Sequence, residues 1–314
     1  MSARAIKSSP FLIALAGAVA LACADDFYKQ QQIVGLRVLA VSAEPAELIL
    51  QDGGPLPSTT FSALAIEPSG ATITTRFDLC LQQGVLPSPS LACPGDAGSQ
   101  LPDAGPTSAR LDLNDPHVQA VAIEFETSND GGLSSFTDAG LSAVLANGVP
   151  IAIGFSADAP PYGNPDGGPG PTAGYSDQHL LGFTDITLRT ASSARPINHN
   201  PQLMEIDADR VAIAADGSTT LHVNQTVTLL PIPASDAKEV KQDGGVESLD
   251  YSFYTTAGTL SDLRSTDTTA SGQPGFITSD YTAPKSPGPV RLWIVVRDGR
   301  GGTGWLERDF TIVP

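Results

Sequence analysis

The sequence predicts an all-β protein, built as two antiparallel sandwiches in tandem with long loops rich in Gly, Pro and Asp. Three observations carry this expectation. Apolar and β-branched residues recur in short runs with a period of two, the runs are bounded by turn-forming residues, and a helical period is almost absent. The 31 glycines and 26 prolines supply the turns, while 41% apolar residues in a chain of 314 leave enough to fill cores.

The chain opens MSARAIKSSPFLIALAGAVALAC, with Arg4 and Lys7 ahead of an apolar run over 11–22. That run is shorter than the about 20 residues needed to cross a hydrocarbon core. Small residues followed by Cys23 resemble a bacterial lipoprotein signal, which implies removal of residues 1–22 and acylation of Cys23. Ala20 stands where such signals usually carry Leu, and Ala20-Leu21-Ala22 also forms an A-x-A site for ordinary cleavage at the same bond. In the lipoproteins it resembles, Asp after the cysteine favours inner-membrane retention. Ala24 stands here, so the resemblance implies the outer membrane.

Residues 23–34 read as a tether, and 35–192 as the first sandwich. Within it, strand-like runs start near Leu36, Val38 and Ala40, then cover 60–66 (TFSALAI), 72–79, 118–125, 150–155 (PIAIGF) and 180–188 (LLGFTDITL). One short helix is expected over 136–145. Low-complexity loops are expected at 95–110 and 158–177. The segment 191–202 (ASSARPINHNPQ) lacks an apolar period and reads as the domain boundary, a polar junction that few contacts should cross.

The second sandwich is expected over 199–314. Leu221, Val223, Val227 and Leu229 share one parity, as do Leu249, Tyr251 and Phe253. Val290, Leu292, Ile294 and Val296 form a core-facing set that alternates with Arg291, Trp293, Val295 and Arg297. A glycine-rich turn over 298–304 then leads into a final strand from Trp305 to Val313.

The segment YSFYTTAGTLS, followed by SDYTAPKSPGPVRLWIVVRDGRGGTGWLERDFTIV, resembles bacterial PKD- and Ig-like surface modules. The opening LRVLAVSAEPAEL, the RFDLC…C loop and the NHNP junction resemble myxobacterial envelope lipoproteins of unassigned function. These resemblances cover most of the mature chain and imply two Ig-like domains on a lipid tether. Their motifs are structural and specify no activity.

Three cysteines remain to be placed. With Cys23 assigned to acylation, Cys80 and Cys93 read as a disulfide in an oxidising compartment, closing a loop of Gln, Gly, Pro and Ser. A net charge of −17 sets 34 acidic against 17 basic residues. It argues against nucleic acid and against peripheral binding to anionic lipid, so membrane attachment would run through acyl chains.

Gly299, Gly301 and Gly304 satisfy G-x-G-x-x-G, but a strand rather than a helix follows, so a hairpin turn is expected and no nucleotide. Asp207 and Asp209, facing Asp250 or Asp298, are the calcium candidates. No segment fits an EF-hand loop, and Asp-Gly turns account for the same residues, so no metal site is assigned. His117, His179, His199 and His222 are scattered without ligand spacing. Trp293 and Trp305 lie on neighbouring strands, placed to stack on a sugar or to cover a sandwich edge. The expectation is a non-enzymatic module without a cofactor, whose partners are the membrane and envelope proteins or polysaccharide. The alternative is a carbohydrate-binding or hydrolytic surface protein.

Overall fold

The computed structural model describes residues 31–83, 90–92, 100–116, 118–119, 145–160, 178–191, 195–241, 243–268 and 272–314. The first half forms β1 (Arg37–Glu44), β2 (Glu47–Leu50), β3 (Ser58–Ile66), β4 (Thr74–Leu79), β5 (Leu81–Gln83), β6 (Ser90–Ala92), β7 (Asp103–Gly105), β8 (Ser108–Asp112), β9 (Val149–Ala159) and β10 (Gln178–Thr190). Two four-stranded sheets, in the orders β1-β3-β8-β7 and β2-β10-β9-β4, face each other, and β5 pairs with β6 as a small separate hairpin. Only two residues separate β1 from β2, so the first strand starts on one sheet and continues on the other. There it runs parallel to β10. Leu48, Phe61, Phe77, Leu111, Ile153 and Ile186 fill the space between the sheets, with the Phe61 and Phe77 rings stacked 6.0 Å apart.

The second half repeats this plan in β11 (Leu203–Ala208), β12 (Val211–Ala212), β13 (Thr220–His222), β14 (Thr226–Pro233), β15 (Asp250–Thr255), β16 (Thr259–Leu260), β17 (Arg264–Thr266), β18 (Ser279–Thr282), β19 (Gly288–Arg297) and β20 (Thr303–Val313). Its sheets run β12-β11-β14-β18-β16 and β13-β20-β19-β15-β17, with β13 parallel to β20. In both halves the strand order is that of the immunoglobulin sandwich, so the all-β tandem expected from the sequence is the architecture found. The predicted parity sets meet in the core: Leu229, Leu249, Tyr251, Phe253, Leu292, Ile294 and Val296 pack with Tyr281 and Phe310. The last two rings meet edge-on at 5.3 Å.

The glycine-rich segment is the hairpin turn expected. Arg297 pairs with Thr303, and Gly299 and Gly301 adopt φ of 73° and 109°, a region open to glycine. Gly304 is needed for a different reason. A Cβ there would lie 2.0 Å from the Pro201 carbonyl oxygen.

Other expectations are corrected. The run 118–125 opens helically, not as a strand: Pro116, Val118 and Gln119 are helical and the Gln119 N–H donates to the Asp115 carbonyl at 3.0 Å, while 120–125 lie outside the described residues. Asp115-Pro116 is the helix-start pair that outweighed the apolar alternation. Part of the loop expected over 95–110 is sheet, since β8 pairs with β3 and β7 pairs with β8. The expected helix lies outside the described residues except for its last residue, Leu145, which is helical. Of the second expected loop, 158–159 end β9 and 161–177 lie outside the described residues.

Candidate functional site

The feature that organises the molecule is the junction between the sandwiches. Trp293 and Val295, on the outer face of β19, are fully buried although their parity opposes the core set. They are covered by Leu39 and Ala40 of β1, Leu64 of β3 and Ile33, with Tyr254 and Trp305 at the margin. The Trp293 indole N–H donates to Glu307 at 2.8 Å, which satisfies its one polar atom. Residues 31–33, expected to belong to a free tether, are instead part of this junction. The Ile33 N–H donates to the Thr255 carbonyl at 2.9 Å, and the Thr255 N–H donates to Gln31 at 3.1 Å. Thr255 extends past the last β17 pairing at Ser252, which leaves its backbone groups open to this segment.

A charged network lies alongside. Glu47, with a side chain 0% exposed, accepts from Arg189 Nε at 3.0 Å and from the Asn198 N–H at 3.1 Å. Arg189 is only 2% exposed. From the glycine-rich turn, Arg300 donates to Glu247 at 2.8 Å, to Glu239 at 3.4 Å and to the Pro196 carbonyl at 2.8 Å. It also lies 3.8 Å from Glu47. Asp298 caps that turn by accepting from the N–H groups of Arg300 at 2.7 Å and Gly302 at 2.9 Å. Burial raises the Asp298 carboxyl above the usual carboxylate range and Glu247's charge adds to this, while the N–H of Arg300 works against it.

The linker completes the junction. Asn200 donates to the Ala43 carbonyl at 2.7 Å and accepts from the Thr303 N–H at 2.9 Å, tying β1 to β20. Arg297 donates to the Leu39 carbonyl at 2.8 Å. The expectation that few contacts cross 199–201 is therefore overturned. The Asn200 side chain supplies pairing that the Pro-interrupted backbone lacks.

The residues singled out in the sequence are scattered. Cys23, Cys93 and His117 lie outside the described residues. Cys80 is buried directly after β4, and its N–H donates to the Ala152 carbonyl at 2.9 Å. The calcium candidates do not converge. Asp209 takes φ of 50° and accepts from the Thr228 N–H at 2.9 Å, a turn-capping role. Asp207 faces Glu205, whose carboxyl it raises by hydrogen bonding. Asp250 sits on the other sheet opposite Arg297, and Asp298 is held in its own turn. His179 contacts Asp158 at 2.6 Å, His199 contacts Glu239, and His222 meets the Pro314 carbonyl at 2.7 Å. Trp293 and Trp305 serve the junction and present no strip to a sugar. Glu47, Arg189, Glu247 and Arg300, which the sequence reading passed over, carry the network. Glu47 and Arg189 carried a signal, a charge within or at the start of an apolar strand, as in ELIL of β2, whereas Glu247 and Arg300 lie outside the strands and carried none.

No family model matches the chain, and no curated protein matches it. Among solved structures, the chain is similar to the D0-D1 domain of intimin at 14% identity, over 87% of this chain and 98% of that one, with a TM-score of 0.20. The two tandem V-type regions of VCBP3, a v-region-containing chitin binding protein, match at 10% identity over 88% and 100%, with a TM-score of 0.27. A nucleoside hydrolase-related protein from Saccharophagus degradans matches at 16% identity over 37% of this chain, with a TM-score of 0.24. There the chain spans about a quarter of that protein's length, 26%. Likenesses this low carry no argument about activity, and the fold stands on the strand order.

Proposed function

We propose that the chain is a lipid-anchored cell-envelope protein, held by acylated Cys23 in the outer membrane, and that its two sandwiches act as one stiff structural or interaction module without catalysis. The observation that carries the module reading is the junction, where a buried Trp face, buried Glu47 reached by the linker's Asn198 N–H and by Arg300 of the second sandwich, and a bonded Asn200 leave little freedom for either half. Interfaces between independently moving domains are smaller and more open. The anchor reading is supported by the signal-like opening, and by Cys23 preceding Gln31, the first of the described residues, by eight positions, about 29 Å of chain at most.

The test is fractionation of the wild type and Cys23→Ser. The wild type should stay with membranes through a salt wash, and the variant should be released. A variant that remains membrane-bound overturns the anchor, and small-angle scattering that requires two independently oriented bodies overturns the stiff module.

Glycan binding is a second reading, favoured by one feature. Leu181 and Phe183, 74% and 52% exposed, share the outer face of β10, with Phe183 opposite Gly154. Loss of polysaccharide retention in Phe183→Ala would support it, and equal retention would remove it.

A further inference from the structure

Beyond the strip covered by β1, the outer face of the second sandwich opens into a cleft of about 370 Å³ lined by Asp250, Ser252, Arg264, Ser265, Thr266 and Arg297. Register brings most of these together. Asp250 pairs with Arg297 on one side and Thr266 on the other, and Ser252 pairs with Arg264, so these side chains share a face.

The arginines of this cleft differ from several others in the molecule. Arg76, Arg110, Arg189, Arg291 and Arg300 each meet a carboxylate within ion-pair distance. Arg297 spends its donors on neutral oxygens, the Leu39 carbonyl at 2.8 Å and Ser252 Oγ at 3.4 Å. Among the described residues neither it nor Arg264 is in an ion pair. Burial chiefly, and the charge of Arg264 in addition, lower the proton affinity of Arg297, while Tyr254 and Asp250 work against them. Two arginines outside any ion pair among the described residues, with Asp250 as the single carboxylate beside them, leave an excess of positive charge in this cleft on a chain of net charge −17.

We propose that this cleft binds an oxyanion, a carboxylate, sulfate or phosphate group, seated between the guanidinium groups of Arg264 and Arg297. The hydroxyl of Ser252, which accepts from Arg297 and keeps its own proton to donate, adds to its shell. Asp250, the one carboxylate in the cleft, limits the affinity. The site does not depend on anchoring through Cys23, so an unanchored chain would bind equally well and the two readings fail separately.

Calorimetric titration of the full chain at fixed ionic strength tests it, with sodium sulfate, sodium phosphate, glucuronate and an oligogalacturonate as probes. At least one should bind saturably with one site. Arg264→Ala should weaken it about tenfold or more, Arg264→Lys should keep part of the affinity, and Asp250→Asn should tighten it, as expected for charge-assisted hydrogen bonds. Tighter binding of the oligogalacturonate identifies an acidic glycan as the source of the group, and tighter sulfate or phosphate identifies a free anion. Arg264 is exposed on an edge strand, and an unchanged melting temperature in its variants verifies folding. Absence of saturable binding with every probe overturns the proposal, as does wild-type affinity in both Arg264→Ala and Asp250→Asn.

Discussion

Replacing Glu47 with Gln keeps the side-chain shape and removes the charge at the centre of the junction. Oε2 of Glu47 accepts from Arg189 Nε at 3.0 Å and from the Asn198 N–H at 3.1 Å, while Arg195 and Arg300 each lie 3.8 Å from Oε1. A neutral amide would turn an NH₂ group or a weaker acceptor toward these guanidinium groups. Arg189, 2% exposed, would be left as a buried charge without its counter-ion. Two hydrogen bonds to a charged group at about 1.5–3 kcal/mol each give roughly the same loss as breaking a buried pair, about 3–5 kcal/mol.

Urea unfolding followed by tryptophan fluorescence reads this directly, because the chain's two tryptophans, Trp293 and Trp305, both lie at the junction. At a slope of about 3 kcal/mol per molar urea, the midpoint should fall by about 1–2 M. Replacing both partners, Glu47→Leu with Arg189→Met, should recover most of the loss, since removing a buried pair whole is often neutral. A Glu47→Gln loss below about 1 kcal/mol, or a double variant no better than the single one, would refute the view that this buried pair stabilises the wall the first sandwich presents to the junction.

Gly304→Ala should destabilise by about 1–3 kcal/mol through overpacking against the Pro201 carbonyl, and by more than Gly299→Ala, which meets open space and only backbone strain. Equal melting temperatures in the two variants would contradict this. Ile294→Asp buries a charge at a fully covered position and should unfold the second sandwich, whereas Arg291→Asp should cost only about 1 kcal/mol. That smaller cost reflects the loss of contacts to Asp309 at 2.8 Å and Glu307 at 3.1 Å, and circular dichroism melts compare the two. Because the Asp298 carboxyl is raised in the folded state, its contribution to stability is present at acid pH and is lost as pH rises through the raised value. Asp298→Asn should remove that component, flattening the difference in urea midpoint between about pH 4 and pH 7; an unchanged difference would exclude Asp298 as its source. β5 and β6 pair Leu81 with Ala92, one step from positions 80 and 93, so mass spectrometry should find Cys80 and Cys93 joined, and two free thiols would defeat the pairing.

Much of the second sandwich was legible because its strands alternate cleanly. Leu292, Ile294 and Val296 announced a core face, and the glycine-rich turn announced the hairpin. What parity alone could not show was that the opposite face is also covered, because the covering strand lies some 250 residues earlier in the chain. The uninterrupted run LWIVV carried that signal, since strands buried on both faces lose their alternation. The junction network was harder to read. Glu47, Arg189 and Arg300 come from three separate elements, and nothing in the local spacing of any one names the others. The linker was misread because polar, Pro-interrupted segments resemble free boundaries until their side chains are seen bonded on both sides.

Docking of β1 on β19 also constrains how the chain reaches its native state. Arg297 meets Leu39 across 258 positions, and Gln32 meets Thr256 across 224. The apolar outer surface of Leu39, Ala40 and Leu64 is therefore made early and stays uncovered until nearly the whole polypeptide has emerged, on the order of tens of seconds at ordinary synthesis rates. The first sandwich can close its own core while its neighbour is still unmade, but its final burial waits for one of the last strands synthesised. Docking on β19 is thus the last step during synthesis, and truncations that remove β19 leave a sticky β1–β3 surface on a domain they do not touch.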